Sequence, residues 1–169
     1  MSSAVLVIAP ETFRDEEYAE PKRLLEDAGV DVTTASVDAG LCQGRFGLEA
    51  HADVALRDVD PASYDAVAFI GGGGAKVYFD DPDAHRVARD TLDAGRVLGA
   101  ICIAPSILGH AGLLEGISVT AFPSEETDLV AHGAVWTGRA VEVDGRIVTA
   151  NGPESATAFG EELLRALRR

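Results

Sequence analysis

The thiol most suited to chemistry is Cys102, in "RVLGAICIAPSILGHAGLL" (96–114), where a short apolar run meets a segment with helical spacing. A residue at a tight strand-to-helix turn stands above its sheet, is held in a strained conformation and faces the cleft formed by the strand ends. The positive end of the following helix favours thiolate there. A free cysteine titrates at about 8.5, and thiols in such sites at about 3.5 to 7.5. The chemistry to expect is nucleophilic or redox. A lone cysteine is also commonly a small buried hydrophobe, and position alone leaves both readings open. The chain has four histidines. His51 falls in a hairpin region, His85 on an amphipathic helix and His110 inside the helix after the cysteine, all positions of surface or packing residues. His132 ends "SEETDLVAHG", where it either caps a helix dipole or approaches a cleft of its own or a partner subunit. No set of His, Cys and carboxylates has metal-ligand spacing, so no metal is expected. "GGGG" (71–74) has no Lys-Ser/Thr after it, and no G-x-G-x-x-G follows the first apolar run, so no cofactor is expected either.

The elements that must position Cys102 alternate along the chain. "AVLVIA" (4–9) predicts a buried strand, and "EEYAEPKRLLEDAG" (16–29) a helix that Pro21 must bend or delay. "VDVTTASV" (30–37) predicts a second strand, and "LCQGRFGLEAHADVAL" (41–56) one or two short hairpin strands. "DAVAFI" (65–70) runs as a third core strand into the glycines, and "DPDAHRVARDTLDAG" (81–95) is an amphipathic helix with Asp81 or Asp83 as its cap. After "RVLGAI" and "APSILGHAGLL" come a strand in "ISVTAF", a helix in "SEETDLVAHG", a hairpin in "AVEVDGRIVTA" turned by Asp144-Gly145, and a closing helix with Phe159, Leu163, Leu164 and Leu167 on one face. This alternation predicts an α/β sandwich of flavodoxin-like type: a mainly parallel sheet, helices on both faces and a small β-hairpin. Ligands of such sheets collect beyond the carboxyl ends of the strands. "APETFRDEE", "GGGG" and "CIAP" all land there.

With 169 residues, a single domain spanning 1–169 is expected, and no apolar run reaches the length of a membrane span. "MSSAVLVIAP" lacks a basic leader segment and two cysteines are too few for a disulfide framework, which point to a cytoplasmic protein with free thiols. The formal net charge of -14 leaves no basic face for nucleic acid. Nearly all basic residues are arginine while Asp accumulates, a bias seen in proteins of salt-accumulating organisms.

Four segments, "VLVIAPETFRDEEYAEPKRLLEDAGVDVTTAS", "YDAVAFIGGGG", "VLGAICIAPSILGHAGLLEGISVTAFPS" and "AVEVDGRIVTANGP", resemble the DJ-1/PfpI superfamily in order and along essentially the whole chain. The resemblance implies that Cys102 is the reactive residue and that a carboxyl from the first β-α connection, here Glu17, hydrogen-bonds it. It also implies an oxyanion hole made by the amides of Gly72 and Ile103. Members are usually homodimers or larger homo-oligomers, and "LCQGRFGL" is an apolar segment suited to such a contact, with Cys42 packed.

The sequence also departs from the family pattern. PfpI-type peptidases carry a histidine after the cysteine, where this chain has Ile103, and a glutamate at the position of Lys76, here expected to be a surface charge. The DJ-1 branch places a histidine where this chain has Phe122. The related glutamine amidotransferases need a late His-x-Glu pair, which is absent. The resemblance therefore implies a cofactor-free glyoxalase or deglycase acting on a small electrophilic carbonyl or a modified protein. The alternative is a stress-response sensor in which Cys102 is oxidised without turnover. A cysteine peptidase ranks third, because its triad partners are missing.

Overall fold

The computed structural model describes residues 1–169, and the alternation read from the sequence is the architecture found. In chain order the elements are β1 (Ser3–Val7), β2 (Glu11–Phe13), α1 (Asp15–Asp27), β3 (Asp31–Ser36), β4 (Gly40–Gly44), β5 (Glu49–Ala52), β6 (Val54–Ala55) and β7 (Ala66–Phe69). They continue with α2 (Pro82–Asp93), β8 (Val97–Ile101), α3 (Pro105–His110), β9 (Ser118–Val119), α4 (Glu126–Ala131), β10 (Val135–Trp136), β11 (Val141–Asp144), β12 (Ile147–Ala150) and α5 (Ala156–Leu167). No helix is long and apolar enough to cross a membrane.

Seven strands form the central sheet in the order β11-β12-β8-β7-β1-β3-β6, parallel throughout except for β11. β7 and β8 are buried at every position, as strands covered on both faces must be. One face packs Leu25, Phe159 and Leu163 of α1 and α5. The other packs Val87, Ile107 and Leu129 of α2, α3 and α4. Gly99 in β8 lets α5 lie close, since a Cβ there would stand 2.9 Å from Leu163 Cδ2 and 3.0 Å from Phe159 Cζ. The expected small hairpin is β4-β5, which joins β2 in a separate three-stranded sheet.

Local chemistry explains the starts and turns. The Asp81 carboxylate accepts the Ala84 amide at 3.0 Å and Pro82 follows, so Asp81 is the cap of α2. α1 is not delayed by Pro21, which is buried against α5 near Gly160, and this packing offsets the lost backbone bond. Two expectations shift. The 117–122 segment pairs only over Ser118–Val119, outside the main sheet, because the Thr120 amide turns to Thr149 Oγ1 and the Phe122 amide to Cys102 O. In the last hairpin Asp144 pairs with Ile147, so the turn residues are Gly145 and Arg146.

Candidate active site

β8 delivers Cys102 to the carboxyl edge of the sheet in a left-handed conformation, φ 64°. Thr12, φ 56°, at the irregular centre of β2, is the one other non-glycine residue with positive φ. Such a conformation costs an L-residue about 1 to 2 kcal/mol and persists where its surroundings enforce it. They do so here, because the Cys102 amide donates to Ala150 O of β12 at 2.9 Å and its carbonyl accepts the Phe122 amide at 2.8 Å. The side chain is thereby lifted out of the sheet and left at the floor of a cleft, with the residue 8% exposed.

Glu17, in the first turn of α1, is fully buried beside it. Gly71 shows how close the groups lie, since a Cβ there would stand 2.5 Å from Glu17 Oε1 and 2.6 Å from Cys102 Cβ. Burial pushes the Glu17 carboxyl up from 4.5 to about 7, while the Cys102 side chain, the Arg14 charge and the Gly71 amide act against that rise. The thiol and the Gly71 amide approach the carboxyl short of regular hydrogen-bond geometry, so neither Glu17 oxygen has a conventional partner. The neighbouring acids are solvated: Glu16 pairs with Arg14 at 2.6 Å and Glu20 with Arg23 at 2.9 Å.

The sulfur departs from the helix-end expectation. Burial and the Glu17 charge push the Cys102 thiol up to about 12, against the amides of Gly72 and Ile103, which favour its anion. The reason is geometric: α3 has six residues and starts at Pro105, so its dipole is weak and offset, while desolvation acts directly on the sulfur. Between these two values the Cys102-Glu17 pair holds one proton and one negative charge.

The cleft above Cys102 has a volume of about 330 Å³. Its floor is Cys102, Ile103 and Gly72, and Phe122 forms one wall. Ser124 and Glu125 enter from the turn before α4, where Ser106 Oγ donates to Glu125 at 2.9 Å. Arg14, Arg45 and Lys76 line the mouth. Lys76 is thus a surface charge, as its sequence context indicated, and one that belongs to the site. Neither it nor Arg45 is ion-paired, and Arg14 lies 4.8 Å above the Phe46 ring. These basic side chains gather at one cleft on a chain of net charge -14. Sequence reasoning missed Arg14, Arg45, Ser124 and Glu125 because they come from separate loops with no shared motif. A larger cleft of about 610 Å³ lies between α1 and β5 and is lined by no cysteine.

His132 does not line the Cys102 cleft. It caps the carboxyl end of α4 and stacks on His110, with ring centroids 4.6 Å apart. His85 Nε2 donates to Phe79 O at 2.6 Å, and His51 is exposed on β5. The sequence spacing showed no metal-ligand set, yet folding gathers His110, Asp128 and His132 with one donor atom each within 4.8 Å. Residues 18 and 22 positions from His110 become its neighbours because α4 packs on α3.

A parallel α/β sheet that lifts a strained cysteine onto its carboxyl edge, beside a buried carboxyl, defines a class of elbow-cysteine proteins. The chain belongs to the DJ-1/PfpI family, whose pattern matches residues 3–166. It is 29% identical to the deglycase PfpI of Pyrococcus furiosus, over 97% of this chain and 99% of that protein. It is 31% identical to YraA of Bacillus subtilis, which carries a cysteine-protease name, over 99% of this chain and 100% of that one. The crystal structure of a ThiJ/PfpI domain protein from Brachyspira murdochii superposes with a TM-score of 0.96 at 32% identity, covering 98% of this chain and 96% of that one.

Proposed function

We propose that this protein is a cofactor-free, thiol-dependent enzyme that converts reactive carbonyls, a 2-oxoaldehyde or the corresponding adduct on a modified protein, to 2-hydroxy acids. The observation that carries the reading is the fully buried Glu17 carboxyl packed beside Cys102 across Gly71, with the amides of Gly72 and Ile103 directed at the sulfur. As Sγ bonds to the aldehyde carbon, the thiol proton passes to Glu17, and the alkoxide formed is held by the two amides. The hemithioacetal then loses its C–H proton and regains one at the adjacent carbon, giving a 2-hydroxy thioester. Water cleaves the thioester and frees the thiol. A carboxyl that titrates near 7 suits both uptake and return of the proton. The names of the deglycase relatives fit this chemistry. The test is glyoxal consumption without added cofactor. The parent is expected to form glycolate and Cys102→Ala to form none; equal turnover by Cys102→Ala overturns the reading.

A second reading rests on Phe122. This apolar ring stands in the cleft where the DJ-1 branch has a histidine, which leaves Glu17 as the one buried base beside the sulfur. Under that reading Cys102 is oxidised by peroxide to the sulfinic acid and the protein reports oxidation without turnover. Intact mass after mild peroxide distinguishes it: a gain of two oxygens confined to Cys102, with no glyoxal consumption, supports the sensor. In either role a homo-oligomer is proposed, with exposed Leu41 and Phe46 of the β4-β5 region in the contact.

A further inference from the structure

Away from the cleft, four side chains from three segments converge where α4 packs on α3. His110 ends α3, Asp128 lies in α4, His132 caps α4 and Asp80 precedes α2. None of them lines the Cys102 cleft. His110 Nδ1 lies 2.8 Å from Asp80 Oδ1, and its Nε2 lies 2.9 Å from Asp128 Oδ2. His132 Nδ1 lies 2.8 Å from the main-chain oxygen of Asp128 and 3.6 Å from its carboxylate.

These contacts fix the chemistry of both rings. A neutral imidazole that donates from Nδ1 presents a lone pair at Nε2. Both His110 nitrogens face carboxylate oxygens, so in the Nδ1–H tautomer the lone pair meets Asp128 at 2.9 Å, and two electron-rich atoms so close need a positive centre between them. The centre is either a proton on His110 or a cation. Two donor atoms about 2.1 Å from a shared ion, at 90 to 110° from one another, are about 3.0 to 3.4 Å apart. The His110-Asp128 separation is already close to this. The widest separation in the set, within 4.8 Å, closes by a turn of His132, whose ring is half-exposed. A turn is required because an ion lies in the plane of each ring, and the rings stack at 25°. Asp80 then takes the outer role familiar in carboxylate–histidine–metal triads, orienting His110 from behind.

We propose that His110, Asp128 and His132 form a site for one divalent first-row transition ion, with water completing the shell and Asp80 as a positioning residue. Two imidazoles and a carboxylate suit Zn²⁺ and its neighbours and disfavour Ca²⁺ or Mg²⁺. The ion ties the carboxyl end of α3 to α4. The other end of α3 follows Cys102, and the turn before α4 supplies Ser124 and Glu125 to the cleft, so the ion braces the two helices that shape the site.

The experiment is calorimetric titration of ZnCl₂ into untagged, EDTA-treated protein in which Cys42 and Cys102 are both replaced by serine, so that no thiolate competes. One ion per chain is expected. His132→Ala, at an exposed position that leaves the fold intact by circular dichroism, should weaken binding at least a hundredfold, and Asp80→Asn about ten- to a hundredfold. Co²⁺ added to the thiol-bearing protein should give a visible spectrum of nitrogen and oxygen ligands without thiolate charge transfer. Absence of stoichiometric Zn²⁺ binding, or binding undiminished in His132→Ala, overturns the proposal and leaves His110 as an imidazolium held between two carboxylates.

Discussion

Replacing Glu17 by glutamine should change stability in a pH-dependent way, and the size of the change follows from its burial. The unfolded carboxyl titrates at 4.5 and the native one at about 7. Below 4.5 both states are protonated and burial carries no charge penalty. Between the two values the native state binds more protons than the unfolded state, so stability falls as pH rises, and above about 7 the full penalty applies. At about 1.4 kcal/mol per pH unit the penalty reaches about 3 kcal/mol. Glutamine has no charge to desolvate. Relative to the parent, Glu17→Gln should therefore gain about 2 to 3 kcal/mol between pH 5 and pH 8. Both proteins should carry Cys102→Ser so that the thiol's own titration drops out. The sulfur opposes the rise in the Glu17 value, so its removal preserves the direction. Urea unfolding at the two pH values reads the effect as a change in the midpoint gap of about 1 M. A gap that stays constant would refute the argument that burial controls this carboxyl.

Three further outcomes follow from other parts of the structure. Gly71→Ala forces a Cβ to 2.5 Å from Glu17 Oε1, so it should destabilise the protein by about 1 to 3 kcal/mol and slow Cys102 alkylation; unchanged urea midpoint and alkylation rate would contradict the close packing. Asp81→Ala removes the acceptor of the Ala84 amide and should cost about 1 kcal/mol, read by thermal or urea unfolding. We propose that the charge of -14 is an adaptation to high salt, so the unfolding midpoint should rise between 0.1 M and 2 M KCl as self-repulsion is screened, and a flat or falling midpoint would count against it.

The core strands were legible because 4–9, 66–70 and 97–101 are buried on both faces and so read as continuous apolar runs. Cys102 and Glu17 were legible through local context and family resemblance together. The direction of the thiol's pKa was not, because it depends on the depth of burial and the contact across Gly71, which only the packed structure provides. The strand expected over 117–122 shortens because backbone groups that a strand would use are taken by Thr149 and Cys102. Arg45, Glu125 and the His110-Asp128-His132 group were hidden because their neighbours are distant in sequence, and no periodicity encodes how α4 meets α3.

The most direct test of the account is the rate of Cys102 alkylation by iodoacetamide against pH, in Cys42→Ser protein with and without Glu17→Gln. A pair that passes from two protons to one near pH 7 predicts a single rise in reactivity there, as Glu17 loses its proton, and loss of that step in Glu17→Gln. A rate already at its plateau below pH 5, or the same profile in both proteins, would contradict the shared-proton pair.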